Sequence, residues 1–198
     1  MSATALKYQE ERKYTYADYL SWDDDRRWEI INGEVYDTSP APSDDHQALL
    51  LELSKQIAIY LTGKMCVGRI APYDVRFPEG VKNDEKIIDT VQPDLVIICD
   101  RSKIDKRGCQ GAPDFIIEIL SPSTAAKDLI IKQALYELNK VKEYWAIDPI
   151  SKVVIVYLLG EDGRYSKPTV HPGKGKLKVT VIEELEIDLD AVFKSPIF

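Results

Sequence analysis

The stretch Pro113-Asp114-Phe115-Ile116-Ile117-Glu118-Ile119-Leu120-Ser121-Pro122-Ser123-Thr124 sets a carboxylate inside a run of large apolar residues and ends in a turn. Its β-branched and aromatic residues predict a buried strand with Glu118 near its end. A second apolar run, Pro93-Asp94-Leu95-Val96-Ile97-Ile98, carries Asp94 at its start. An ionised carboxylate in such surroundings is costly unless a cation meets it. The two runs therefore predict a cation, such as a hard divalent metal, shared by Asp94 and Glu118.

Strand geometry favours Asp94 over Asp114 as the partner of Glu118. Asp114 and Glu118 share a strand face, but at ~3.3 Å per residue they stand roughly 13 Å apart. Oxygen ligands lie only ~2.1–2.5 Å from a divalent ion, so a neighbouring strand at ~4.8 Å is the better source of the second ligand. Two alternatives stay open: Asp94 as a turn residue at the strand end, and Glu118 as a carboxylate paired with a core arginine or tyrosine.

Asp128, Lys132 and Tyr136 follow at intervals of four residues, within a helix predicted over 124–140. Residues with this spacing line one helical face. The face is either a solvated ion-pair stripe, worth only ~0.3–0.5 kcal/mol per pair, or an inward face that brings a lysine to the carboxylates. The order strand aspartate, strand glutamate, then lysine suggests metal-assisted phosphodiester hydrolysis.

The remaining turn and cap signals indicate an α/β protein. Asn32-Gly33 between apolar runs predicts an N-terminal β-hairpin, and Ser43 or Asp44 is the predicted N-cap of a helix that reaches about Leu61. A short helix is predicted from Thr15 to Leu20, and the helix over 124–140 is expected to bury Ile131, Leu135 and Leu138. Strands are predicted over 67–71, 74–78, 143–147 and 152–159, with one or two edge strands between 177 and 189. Central strands with helices around them form the core.

Composition is that of an ordinary globular chain, with 198 residues, 44% hydrophobic and 30% charged. We expect residues 1–13 to form a flexible lead-in without a secretory core, and residues 14–198 to form a single domain. The apolar runs are shorter than the ~20 residues that a membrane span needs, so no membrane partner is expected. Three cysteines without CxxC spacing predict reduced thiols in a cytoplasmic protein.

A net charge of −7 speaks against a typical nucleic-acid binder, whose affinity comes from neutralising phosphates. A nuclease site, however, must itself be acidic to hold its metal, which then reverses the local charge. The sequence contains no G-x-S-x-G, Walker A or H-E-x-x-H motif, so a serine hydrolase, an NTPase and a zinc protease are unsupported.

Several sequence motifs occur together in a fixed order. They are Trp28-Glu29-Ile30-Ile31-Asn32-Gly33-Glu34, His46-Gln47, Pro93-Asp94, Glu118-Ile119-Leu120-Ser121-Pro122-Ser123-Thr124, Asp128, Lys132, Tyr136 and Glu143-Tyr144-Trp145. In this order they resemble the Uma-two family of restriction endonucleases, within the PD-(D/E)XK nuclease superfamily. The resemblance covers about residues 15–159, and the Ser-Pro-Ser-Thr turn followed by Asp, Lys and Tyr is its most specific part.

The resemblance implies a restriction-endonuclease-like fold: a mixed central β-sheet flanked by α-helices, with an N-terminal hairpin and C-terminal edge strands. It also implies Mg²⁺-dependent cleavage of DNA, with Mn²⁺ able to substitute. Asp94 and Glu118 are then catalytic metal ligands, joined by the backbone carbonyl of Ile119. The superfamily's lysine would stand at position 120, where this chain has Leu120, so the resemblance assigns the catalytic lysine to Lys132.

Glu29, His46, Asp128 and Tyr136 are predicted accessory residues of this site. Glu29 matches an early acidic residue of the superfamily, whereas His46 on an apolar helix face is also compatible with a core histidine. Double-strand cleavage needs two active sites, so we expect a homodimer, formed through apolar C-terminal strands that end in Val192-Phe193 and Ile197-Phe198. The alternative function is a catalytically silent nuclease-fold module that binds nucleic acid or a protein partner.

Overall fold

The computed structural model describes residues 12–38, 42–78, 80 and 83–194. Its α-helices are α1 (Tyr16–Tyr19), α2 (Asp44–Leu61), α3 (Gln133–Leu138) and α4 (Leu189–Val192), and a π-helical turn over Lys127–Lys132 leads directly into α3. Short 3₁₀ turns cover Asp84–Lys86 and Arg101–Lys103. The strands are β1 (Trp28–Ile31), β2 (Glu34–Asp37), β3 (Val67–Ile70), β4 (Val75–Arg76), β5 (Thr90–Val91), β6 (Leu95–Ile98), β7 (Ile104–Asp105), β8 (Gly108–Gln110), β9 (Phe115–Ile119), β10 (Glu143–Asp148), β11 (Val153–Leu158), β12 (Thr169–Pro172), β13 (Lys176–Lys178) and β14 (Glu186–Asp188).

A six-stranded mixed sheet forms the centre of the fold, in the order β12-β11-β10-β9-β6-β3. Strands β9 and β10 are parallel, and the other neighbouring pairs are antiparallel. The connection between β9 and β10 carries the π-helical turn and α3, as parallel strands require a long crossover. The mixed central sheet predicted from the sequence is therefore confirmed.

A second six-stranded sheet, in the order β2-β1-β5-β4-β8-β7, begins with the predicted N-terminal hairpin. The hairpin turn places Asn32 at φ 52° and Gly33 at φ 77°, the positive values that a tight two-residue turn needs. A side chain at Gly33 would also collide with Lys13, because a Cβ there would lie 2.6 Å from the Lys13 Cβ. This explains why Asn-Gly occupies the turn.

Two apolar cores lie on opposite faces of the central sheet. Alternate residues of β9 point to opposite sides, so Phe115, Ile117 and Ile119 pack against α2 and the C-terminal elements. Ile116 and Leu120 pack instead toward the second sheet and α3. Glu118 shares this second face, which directs its carboxylate into the layer between the central sheet and the second sheet.

The second sheet was not predicted as a separate layer. It packs against one face of the central sheet, where the sequence predicted helices. Strands β13 and β14 pair with each other in a two-stranded sheet, and β12, which was not predicted, takes the edge position instead. Leu138 was expected to be buried, but its side chain is exposed because α3 turns it away from the sheet.

Val192 and Phe193 were predicted to contribute to a dimer interface, but both are buried in the core beside α2. They belong to α4 and its C-terminal cap, not to a strand. Ile197 and Phe198 lie outside the described residues. The part of this prediction that rests on Val192 and Phe193 is wrong, since neither side chain is accessible to a second copy.

The expectation that all three cysteines are reduced is wrong, because Cys66 and Cys99 form a disulfide in the structure. The antiparallel register of β3 and β6 pairs Val67 with Ile98, so the next pair outward is Cys66 with Cys99. A spacing of 33 residues gave no sequence signal for this pairing. Cys109 is a free, buried thiol, and burial raises its pKa to about 11.

The predicted lead-in over 1–13 lies mostly outside the described residues. At its end, Arg12 forms an ion pair with Asp18 at 2.5 Å, and Lys13 Nζ donates to Asn32 Oδ1 at 2.8 Å. In the part of the chain that the structure describes, no helix is both long enough and apolar enough to cross a bilayer.

Candidate active site

Asp94 and Glu118 lie opposite one another at the ends of two neighbouring strands. Strands β6 and β9 pair Leu95 with Ile117, and continuing that register by one residue pairs Asp94 with Glu118. Asp94 Oδ2 accepts a hydrogen bond from the Ile119 backbone N–H at 2.7 Å. As the strand argument predicted, Asp94 and not Asp114 lies opposite Glu118. Asp114 lies at the other end of β9, where it binds Lys142 Nζ at 2.6 Å and the Cys99 N–H at 2.8 Å.

Lys132 reaches Glu118 from the π-helical turn, at 2.8 Å between Nζ and Oε1. Tyr136 donates its hydroxyl to the same Oε1 at 2.6 Å, and Asp128 Oδ1 lies 3.6 Å from Lys132 Nζ. All three side chains are buried. Of the two alternatives for this face, the inward one is therefore what the structure shows. The structure also shows the other pairing that the sequence left open, since Glu118 binds the core tyrosine Tyr136 as well as the lysine.

Glu29 completes the cluster from the second sheet. Its Oε1 lies 2.7 Å from Lys132 Nζ and accepts the Gln92 backbone N–H at 2.9 Å. Its Oε2 binds Lys127 Nζ at 2.7 Å. The sequence had singled out Glu29 but not Lys127, which the structure adds to the site.

The π-helical turn explains why Lys127 was missed. Positions five apart align along a π-helix, because its hydrogen bonds run from i to i+5, and Lys127 and Lys132 are five apart. An α-helical reading with a period of 3.6 places Lys127 away from the stripe of Asp128, Lys132 and Tyr136. Such π-helical turns occur often at functional sites, but no local pattern in the sequence marked this one.

The two glutamates of the cluster have pKa values that are shifted in opposite directions. Burial opposes ionisation of Glu29, but Lys132 and Lys127 outweigh it and lower its pKa to about 2. Burial raises the pKa of Glu118 to about 8, helped by Asp128 and Asp94 and opposed by Lys132. Burial also raises the pKa of Asp128. The carboxylates of Glu29, Asp94, Glu118 and Asp128 outnumber the two lysines, so the cluster lacks positive charge.

His46 lies at the start of α2, whose N-cap is Ser43 as predicted. Its Nε2 is 3.2 Å from Asp94 Oδ2, so the structure does bring His46 to the site. Its Nδ1 is buried and has no hydrogen-bond partner among the described residues. The contact holds the Asp94 carboxylate between the His46 ring and the Ile119 N–H.

The donor set fits a hard divalent cation. Among the described residues, the hydrogen bonds of Asp94 use Oδ2 and those of Glu118 use Oε1, which leaves one oxygen of each for a metal. A divalent ion would also place positive charge beside Glu118, whose pKa is raised mainly by burial. Within the same residues, no three Asp, Glu, His or Cys side chains form a ready metal cage. Mg²⁺ needs none, since it usually binds through one or two carboxylates, substrate phosphates and water.

The cluster is buried around Glu118 and Lys132 and partly exposed at Asp94 and Lys127. The two partly exposed side chains mark what we call the mouth of the site. The side chains of Glu118 and Lys132 are each 4% exposed, whereas those of Asp94 and Lys127 are 18% and 13% exposed. A groove of about 710 Å³ lies elsewhere, between the end of α2 and β3, and none of the cluster residues lines it. A ligand would therefore have to reach the cluster at this mouth, from outside.

The mixed α/β architecture is that of a restriction-endonuclease-like fold. A crystal structure from Anabaena variabilis, described as "a putative nuclease belonging to DUF820", is similar with a TM-score of 0.72 and 20% identity, over 91% of this chain and 98% of that one. The model of the Uma2 family, described as "Putative restriction endonuclease", matches residues 16–190. The chain therefore belongs to the Uma2 family. A relative in Synechocystis, "Uncharacterized protein slr1290", is 27% identical over 159 residues, 76% of this chain and 77% of the relative.

Proposed function

We propose that this protein is a Mg²⁺-dependent endonuclease that hydrolyses phosphodiester bonds in DNA. One observation carries the proposal: Asp94 and Glu118 face each other across neighbouring strands, with Lys132 Nζ 2.8 Å from Glu118. This arrangement supplies two metal-binding carboxylates and one lysine from a helix. Membership of the Uma2 family supports the reading.

Asp94, Glu118 and the backbone carbonyl of Ile119 would hold the Mg²⁺. The bound ion would lower the pKa of a water and offset charge on the scissile phosphate. His46 orients Asp94 through its contact with Oδ2. Tyr136 orients Glu118 by donating its hydroxyl to Oε1, which keeps Oε2 available.

Lys132 provides a fixed positive charge beside Glu118 in a site with little water. Such a preorganised charge stabilises negative charge that develops on a phosphate more effectively than it would in bulk water. Glu29 and Asp128 hold the Lys132 ammonium in place, at 2.7 Å and 3.6 Å. Lys132 therefore needs no reorganisation when the phosphate begins to react.

A cleavage assay tests the proposal with plasmid, single-stranded and branched DNA, each incubated with Mg²⁺, Mn²⁺ or a chelator. We expect cleavage with either metal and none with the chelator. The Asp94→Asn variant, purified in the same way, controls for contaminating nucleases. Absence of cleavage on every substrate would contradict the proposal.

The acidic charge of the chain, with a pI of about 5.0, favours a second candidate function. In this reading the protein is a catalytically silent module that binds nucleic acid or a protein partner. Isothermal titration calorimetry separates the two, because a non-cutting module has no need to bind Mg²⁺ or Mn²⁺. Metal binding that disappears in Asp94→Asn would support the enzyme.

Two further parts of the proposal are a cytoplasmic location, where DNA would be the substrate, and a homodimer. In a reducing cytoplasm, the Cys66–Cys99 disulfide of the structure would be expected to open to two thiols. A dimer brings two active sites to the two strands of a duplex.

We expect sedimentation velocity to show a dimer at the protein concentration used for cleavage. A test variant is Val170→Glu, because Val170 is an exposed apolar residue on edge strand β12. If β12 lies in the interface, this change shifts the equilibrium toward monomer. A parent protein that sediments as a monomer would contradict the dimer and point to nicking or single-strand cleavage.

A further inference from the structure

Two lysines bind the same carboxylate but differ in their surroundings. Lys132 and Lys127 each place Nζ 2.7 Å from an oxygen of Glu29, Oε1 and Oε2 respectively. Lys132 is enclosed by Glu29, Glu118 and Asp128. Lys127, in the part of the chain that the structure describes, has Glu29 as its one carboxylate partner. The two ammonium groups are therefore suited to different tasks.

The two ammonium groups also differ in how many of their N–H donors are available to a ligand. An ammonium group has three N–H donors and no acceptor. Lys132 Nζ lies 2.7 Å from Glu29 Oε1 and 2.8 Å from Glu118 Oε1, and Asp128 Oδ1 at 3.6 Å closes a third side, so protein carboxylates enclose this ammonium. Among the described residues, Lys127 donates to Glu29 alone, which leaves two of its N–H donors for a ligand. A phosphate oxygen arriving from outside can take a donor from Lys127 without displacing a protein carboxylate.

The position of Lys127 at the mouth supports the same conclusion. Its side chain is 13% exposed, against 4% for Lys132. The Tyr36 ring of β2 flanks the ammonium, with 5.8 Å between Nζ and the ring centroid. Tyr36 and Glu29 thus hold the Lys127 ammonium beside the mouth instead of letting it extend into solvent.

We propose that Lys127 is the lysine that contacts the substrate, by donating to a non-bridging oxygen of a DNA phosphate at the mouth of the site. Behind it, Lys132 remains the fixed buried charge that stabilises negative charge developing on the phosphate, and it also keeps Glu29 and Glu118 in place. This division of roles rests on the proposed nuclease function and adds a phosphate-binding subsite to it. The π-helical turn is the feature that places both lysines on Glu29.

The test is the salt dependence of DNA binding. A fluorescent duplex is titrated with parent, Lys127→Met, Lys127→Gln and Lys127→Arg over a series of KCl concentrations, with Ca²⁺ in place of Mg²⁺ to suppress cleavage. Each lost phosphate contact lowers the slope of log K against log salt by ~0.9 for duplex DNA. We expect that loss, with roughly tenfold weaker binding at low salt, for both uncharged variants. Lys127→Arg should retain the parent slope.

Lys55→Met is the matched control, because Lys55 also pairs with a glutamate, Glu52, but lies on the exposed side of α2. It should keep the parent slope. A parent-like slope in both uncharged Lys127 variants overturns the phosphate subsite. A parent protein that neither binds nor cuts DNA overturns the nuclease function as well, so the two failures are distinguishable.

Discussion

Replacement of Lys132 by methionine is expected to lower the rate of DNA cleavage by ~10²-fold or more, the scale of losing one preorganised electrostatic stabiliser. Methionine preserves the helix propensity and most of the aliphatic stem. Mg²⁺ binding should persist, because Asp94, Glu118 and the Ile119 carbonyl are unchanged. Single-turnover cleavage measures the first effect, and isothermal titration calorimetry measures the second.

The same substitution is also expected to destabilise the fold by ~3–5 kcal/mol without metal, because it leaves buried carboxylates without their partner. Lys132 Nζ lies within 2.8 Å of both Glu29 and Glu118, so both carboxylates lose a partner. The double variant Glu29→Gln/Lys132→Met removes one negative charge with the positive one and should recover part of the stability. Cleavage should stay low in the double variant, which separates the catalytic loss from the folding loss.

A rescue experiment tests whether Lys132 takes the place of the lysine that the superfamily has at position 120. Leu120 is buried on the same face of the central sheet as Glu118, and Leu120→Lys in the Lys132→Met background restores the spacing of the superfamily triplet. Some recovery of cleavage is expected. If Lys132→Met alone cuts DNA as fast as the parent, Lys132 has only a structural role and the helix assignment is wrong.

The strands that carry Asp94 and Glu118 were predictable because each is a long apolar run with one carboxylate. The period of two and the distance between strands then selected Asp94 over Asp114, and the register of β6 and β9 bears this out. The turn after Glu118 was equally local: the Ser121 carbonyl accepts the N–H groups of Thr124 and Ala125. Local patterns were sufficient wherever the neighbouring strand was also recognisable.

The remaining parts of the site depend on contacts that no local pattern records. Glu29 meets Lys132 because β1 pairs with β5 through Ile30 and Thr90, a contact across 60 positions of the chain. The second sheet consists largely of strands of two or three residues, too short to show a period of two. Lys127 depends on a π-helical turn, and the Cys66–Cys99 disulfide on the register of β3 and β6. Each of these becomes visible only once the strands and turns are assembled.

Replacement of the metal-binding carboxylates by their amides, Asp94→Asn and Glu118→Gln, is expected to abolish measurable cleavage and to weaken Mg²⁺ and Mn²⁺ binding by well over tenfold. Even residues that only orient metal ligands cost ~10–100-fold in affinity when they are changed. Asp114→Asn is the matched control, because Asp114 belongs to the second Pro-Asp pair but binds Lys142 at the far end of β9. Calorimetric titration with Mn²⁺ measures the affinities, and unchanged affinity in both site variants would overturn the metal site.

The stability of Glu118→Gln without metal gives an independent readout of the same carboxylate. Burial and its acidic neighbours raise the pKa of Glu118 from 4.5 to about 8 in the folded protein. As pH rises from about 4.5 to about 8, the unfolded chain loses this proton first, so the parent loses stability across that window. The amide has no proton to lose, and the stability difference should therefore move in favour of Glu118→Gln as pH rises. Denaturant unfolding in a chelator at several pH values measures it, and a difference that stays constant with pH would show that Glu118 is ionised in the metal-free fold.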